Sequence, residues 1–211
     1  MKRRSFIKNS GMAAAAIGLT STKVLSSPLT AATNKLPKWK GFNLTDFFSP
    51  KPLTGNLSTT EDHFKWMQGW GFDFVRIPIA YPCYLDFDRN KDIVPEQVYN
   101  INQKAVEQID SLVTMAHKYG LHVSLNLHRA PGYCINAGFH EPYNLWKDEA
   151  AQKAFYFHWN MWAKRYKNVS RSRISFDLVN EPSMRDDMND QHSHSGPVPG
   201  DVYRKVAQEA L

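Results

Sequence analysis

Residues 174–182 read Ile174-Ser175-Phe176-Asp177-Leu178-Val179-Asn180-Glu181-Pro182, an apolar run of strand length that ends in an amide, a carboxylate and a proline. Short runs rich in branched and aromatic side chains are the mark of a buried strand. Three earlier runs repeat the arrangement. Trp39-Lys40-Gly41-Phe42-Asn43-Leu44 alternates as a short first strand, and Phe74-Val75-Arg76-Ile77-Pro78-Ile79 is a second. This second strand is expected to end near Pro78, because proline has no N–H to give a ladder. His122 to Leu127 forms a third, with His128 just beyond it.

Helical patterns fill the intervals. Ser58 and Glu61 have capping-box spacing ahead of Phe64 and Met67, which predicts a helix that stops by Gly71. Val98, Ile101, Ala105, Ile109, Leu112, Val113 and Ala116 recur at helical spacing, with Gly120 as the stop. Ala154, Phe155, His158, Trp159, Trp162 and Tyr166 make a third stripe, read as packing on a sheet, and a fourth helix begins near Asp201. Strands alternating with helices predict an α/β fold with a parallel sheet, since each crossover is long enough to return the chain to the same edge. A doubly wound open sheet would carry a Gly-rich phosphate loop after its first strand, and none is present. Polar residues at the carboxyl ends of successive strands instead predict a (β/α)8 TIM barrel, which assembles its active site there.

The chain has 211 residues, with 26 Lys and Arg against 20 Asp and Glu. Lys2, Arg3, Arg4, Lys8 and Lys23 fall within residues 1–31, where there is no acid, so residues 32–211 are near neutral. A near-neutral body offers no massed basic face, which argues against a nucleic-acid partner. The basic start, the apolar small-residue stretch from Gly11 to Leu19 and the tail ending at Ala31 and Ala32 have the three parts of an export signal. Arg3-Arg4 followed by Phe6, Ile7 and Lys8 resembles the twin-arginine signal, which predicts use of that export machinery, removal of residues 1–31 and a periplasmic or extracellular protein. The apolar stretch falls short of the ~20 residues a membrane span needs, so no stable anchor is expected. Cys83 and Cys134 are the only cysteines; an exported protein permits a disulfide between them, and two buried thiols fit equally well.

The strand-end residues carry a family resemblance. Lys40-Gly41-Phe42-Asn43-Leu44, Val75-Arg76-Ile77-Pro78, Asn126-Leu127-His128 and Asn180-Glu181-Pro182, in that order and on successive strands, resemble glycoside hydrolase family 5, the cellulase family. The resemblance runs from about Trp39 to the end of the chain. It implies hydrolysis of a β-linked glycan such as cellulose, mixed-linkage glucan, mannan or xyloglucan, without a cofactor or metal.

The residue types support the same chemistry. Breaking a glycosidic bond requires a proton for the departing oxygen and a carboxylate on the other side of the ring. Glu181 is placed for the first role, with desolvation by neighbouring apolar residues expected to raise its pKa and keep it protonated. Asn180 can donate to a sugar hydroxyl. The resemblance implies both assignments. Arg76 sits in an otherwise apolar strand and needs a carboxylate partner; the resemblance implies that it orients the nucleophile, and a structural ion pair at the barrel rim is the other reading. His128 can hydrogen-bond a sugar hydroxyl or a catalytic carboxylate, as the resemblance implies, or be a satisfied structural histidine.

Other candidates are weaker. Glu141 reads as a loop residue, and Asp186, Asp187, Asp190, His192 and His194 as a solvated loop without compact metal-ligand spacing. Tyr81, Tyr84, Tyr133 and Trp146 fall near strand ends and suit either sugar stacking or core packing.

A retaining mechanism needs a second carboxylate about 5 Å from the first. The resemblance implies that it comes from the seventh strand, with a histidine and a tyrosine from the strands before it. Apart from Glu181, no carboxylate between Trp39 and Leu211 stands at a strand end in that context. The three strand intervals from Trp39 to Ile174 span 135 residues, so eight would need about 360, within the range of such barrels. Residues 32–211 are therefore expected to form the N-terminal half of the catalytic domain, with about the first four β/α units. Alone they are expected to be inactive and poorly stable, with open sheet edges. Two other classes fit parts of the pattern: a carbohydrate-binding protein without catalysis, and a metal-dependent barrel hydrolase using the loop histidines.

Overall fold

A computed structural model describes residues 37–53, 55–135, 139–190 and 192–210. The export signal expected over residues 1–31 lies outside the described residues.

From Lys38 onward the order is β1 (Gly41–Asn43), α1 (Glu61–Gly69), β2 (Phe74–Ala80), two 3-10 turns (Tyr81–Tyr84 and Pro95–Tyr99), α2 (Gln103–Lys118), β3 (His122–Arg129), α3 (Glu149–Arg165), β4 (Ile174–Asp177), β5 (Ser183–Arg185), β6 (Ser195–Pro197) and α4 (Gly200–Glu209). The first four strands form one parallel sheet in the order β1-β2-β3-β4. Spatial order therefore follows chain order, with none of the reversal that creates a doubly wound switch point. Strands stepping one way, each followed by a helix, are the arrangement of a (β/α)8 barrel.

Register assigns the two faces. Val75, Val123 and Ile174 share one row and Ile77, Leu125 and Phe176 the next. All but the half-exposed Phe176 are buried, and these residues belong to one hydrophobic cluster with Ile109, Leu112 and Val113 of α2 and Phe155, Trp159 and Trp162 of α3. The intervening rows are polar: Arg76, Ser124 and Ser175, then Pro78, Asn126 and Asp177. A period of two thus separates the core row from the polar row on β2 and β3. At the amino-terminal end of the polar face, Trp39 stacks on His122 at 3.9 Å, and His122 Nε2 hydrogen-bonds Ser175 Oγ at 2.9 Å.

Several boundaries differ from expectation, each for a physical reason. β2 continues past Pro78 to Ala80. The backbone groups of even-numbered residues face β1, as Leu44 N–H donating to Arg76 O and Ala80 N–H donating to Phe47 O attest. The nitrogen of Pro78 therefore faces ground where β1 has already ended, and its missing N–H forfeits no ladder bond. Ser58 does not cap α1. It and Thr59 donate four hydrogen bonds to Asp46 (2.6–3.0 Å), while Thr60 is the N-cap and its N–H donates to His63 Nδ1 at 2.9 Å. Val98 lies in a 3-10 turn, and α2 starts only at Gln103, where Asn102 Oδ1 accepts from Ala105 N. β4 stops at Asp177, short of Val179, and the loop beyond it folds into the antiparallel hairpin β5-β6.

The α3 stripe packs inward as expected. His158 is fully buried: Nε2–H donates to Val98 O at 3.0 Å, so Nδ1 accepts from the Tyr84 hydroxyl at 2.9 Å. Cys83 is a buried free thiol, so the disulfide that the cysteine count permits is absent. Among the described residues no helix is long and apolar enough to cross a membrane.

Candidate active site

Arg76 projects from the polar face of β2 to the carboxyl end of β4. Its Nε donates to Asp177 Oδ2 at 2.9 Å, and Nη2 lies 2.8 Å from the same oxygen. Nη2 also donates to Asn180 Oδ1 at 2.9 Å. The guanidinium is a pure donor, so the Asn180 amide must turn its oxygen to Arg76 and its NH2 group away. Asp177 has no role in the sequence reading, although it is the one acid in the run from Ile174 to Val179. Its alternation with Phe176 and Leu178 is the signal that it belongs on the polar face.

The turn that follows is held from several sides. Asn126 Nδ2 donates to Asp177 O at 3.1 Å, Trp159 Nε1 to Leu178 O at 3.1 Å, and Asn180 N to Leu127 O at 3.3 Å. The Tyr133 hydroxyl donates to Glu181 O at 2.5 Å and accepts from Ser183 N at 3.0 Å; Trp146 Nε1 donates to Ser183 O at 2.8 Å. Within this clamp Glu181 has φ +45°. A left-handed backbone costs a non-glycine residue about 1–2 kcal/mol, and a following proline favours extended backbone instead. The turn is thus imposed by its surroundings. The Glu181 side chain is exposed, so the apolar enclosure expected around it is not formed by the described residues.

His128 follows on β3, half-buried, its ring 4.5 Å from that of Phe48. Burial, and then the Arg76 charge, hold its pKa below the ordinary histidine value, outweighing the nearby Glu181 and Asp177. It is neutral at pH 7, and its Nδ1 is buried with no hydrogen-bond partner among the described residues.

Comparison with known proteins gives the family of the chain. The sequence model of the family described as Cellulase (glycosyl hydrolase family 5) matches residues 29–210. The chain belongs to glycosyl hydrolase family 5. Cellodextrinase A of Ruminococcus flavefaciens is 33% identical over 121 residues, covering 57% of this chain and 32% of the relative. Endoglucanase C of Acetivibrio thermocellus is 34% identical over 122 residues, covering 58% and 32%. A crystal structure described as that of a glycoside hydrolase superposes with a TM-score of 0.65 at 32% identity, over 82% of this chain and 50% of that one. The matched region spans about a third of the length of those two curated relatives.

Within this family 5 chain, Arg76, Asn180 and Glu181 meet at the carboxyl end of the sheet, and His128 lies close enough to feel the charges of Arg76 and Glu181. The tyrosines and Trp146 raised as sugar-stacking candidates are all buried, and their polar tips anchor backbone and side chains. Glu141 lies in the loop between β3 and α3, as its sequence context predicts, but not at the surface. It is buried and accepts from the Tyr81 hydroxyl at 2.8 Å, Gly132 N at 3.0 Å and Arg129 Nη1 at 3.1 Å. Burial pushes its carboxyl up, against the pull of Arg129. Asp186 and His194 are exposed on the β5-β6 hairpin, and among the described residues no three His, Cys, Asp or Glu side chains gather as metal ligands.

Proposed function

We propose that the whole protein is an exported, retaining β-glycosidase acting on a β-linked glucan, with Glu181 as acid/base. The observation that carries this reading is the clamped Asn180-Glu181 turn, which presents an exposed carboxyl beside an amide whose oxygen is already taken by Arg76. Relatives named as a cellodextrinase and an endoglucanase support a glucan as substrate.

In this mechanism Glu181 gives its proton to the glycosidic oxygen as the C–O bond breaks, then takes a proton from the water that releases the sugar. The Asn180 NH2 group donates to a sugar hydroxyl. Neutral His128 has one ring N–H to offer a hydroxyl or carboxylate. Arg76 neutralises Asp177 and fixes Asn180, and the same positive charge favours ionisation of the nucleophile. Asp177 is held by Arg76 and Glu141 is buried on Arg129, so neither serves as that nucleophile. The twin-arginine leader directs export and is removed near Ala31 or Ala32.

Purified whole protein should release reducing ends from soluble β-glucan, with the β-anomer appearing first by NMR. The α-anomer as first product would refute retention. Glycan binding without hydrolysis would replace an enzyme with a binding protein.

A further inference from the structure

Tyr133 is the side chain that touches the backbone of Glu181 itself, and its own placement is rigid. Its N–H and C=O pair with Ala130 at 2.9 Å each, and its ring is fully buried against Trp146 at 5.5 Å. The preceding Gly132 has φ +74°, and a Cβ there would lie 2.7 Å from Leu145 N. Gly132 N in turn donates to buried Glu141. The loop is therefore fixed at both its backbone and its base, so the phenol reaches the active-site turn from a firm footing.

The hydroxyl bridges across Pro182. It donates to the carbonyl before the proline and accepts from the N–H after it, where Pro182 has no N–H of its own to contribute. Burial pushes the phenol's pKa up, which keeps the proton on the oxygen and available to Glu181 O. A left-handed Glu181 sends its side chain in a different direction from an extended one, so whatever holds φ also aims the carboxyl.

We infer that Tyr133 is a positioning residue for the acid/base, holding the left-handed backbone that directs the Glu181 carboxyl toward the leaving oxygen. This rests on the acid/base role proposed for Glu181.

The test compares Tyr133→Phe and Glu181→Gln in the whole protein on two substrates. A cello-oligosaccharide needs its leaving group protonated, whereas dinitrophenyl β-cellobioside does not. Tyr133→Phe should lower kcat/KM on the oligosaccharide about tenfold or more and kcat/KM on the dinitrophenyl substrate less than about threefold, because kcat/KM reports the bond-breaking step and not the later step in which Glu181 takes a proton from water. Glu181→Gln should give the same split, enlarged. Equal losses on both substrates, or no loss on either, in Tyr133→Phe alone would leave Glu181 as the acid and overturn the positioning role. Absence of the split in Glu181→Gln would overturn the acid/base reading and this inference with it. Should the phenylalanine variant not accumulate, Tyr133→Met, which also lacks a donor, serves the same comparison.

Discussion

Arg76 Nη2 donates to Asn180 Oδ1 at 2.9 Å, across 104 residues of sequence. Because the guanidinium can only donate, this contact decides which way the amide faces. The same side chain is held by Asp177, so one cation orders the carboxyl end of β4.

Arg76→Lys keeps the charge and loses the fork that reaches Asp177 and Asn180 together. Turnover should fall about 10- to 100-fold through misplacement of the turn. Unfolding free energy should change by less than about 1 kcal/mol, because the ion pair is part-exposed. Steady-state kinetics and a denaturant titration on one preparation check both halves.

Asn180→Asp preserves an acceptor for Arg76 and removes the NH2 donor. Activity is expected to drop about 100-fold, as for loss of one hydrogen bond that strengthens in the transition state. A variant with near-normal kcat would show that the amide's donor end does no work on the substrate.

Glu141→Ala removes the carboxylate set against buried Arg129, and with it the acceptor for Tyr81 and Gly132. Breaking a buried pair in this way should lower stability by about 3–5 kcal/mol. Denaturant midpoints of variant and parent give the comparison.

His158 supplies a pH dependence of known sign. Burial lowers its pKa to about 3 from an ordinary 6.5, so the folded protein keeps it neutral while the unfolded chain protonates it. Its stabilising contribution is complete above about pH 6.5 and is lost as pH falls toward about 3. The slope is about 1.4 kcal/mol per pH unit in that window. His158→Gln should flatten the fall in unfolding free energy measured from pH 7 to pH 4; an unchanged slope would assign the acid sensitivity to other groups.

The legible part of the molecule is the part written in local periods. Arg76 stood out as the one charge in an otherwise apolar strand, and the stripe from Ala154 to Tyr166 showed which side of α3 faces inward. What escaped depends on register between distant segments. Asp177 meets Arg76 only because β3 lies between their strands. Glu141 is buried because the Tyr81 and Gly132 segments converge on it, and nothing in its neighbours in sequence announces that. Ser58 had the spacing of a helix cap, but Asp46, twelve residues upstream, is the stronger acceptor and claims it. The aromatics near the active-site turn were legible as aromatics only; that Tyr133, Trp146 and Trp159 clamp backbone carbonyls requires the fold.

The proton transfer proposed for Glu181 is tested most directly by kcat of the whole protein carrying Glu181→Gln on soluble β-glucan. The glutamine keeps the shape of the side chain and cannot deliver a proton, so kcat is expected to fall about 10²- to 10⁴-fold with the folded structure intact. A variant that keeps more than about a tenth of the parent's activity would contradict the assignment.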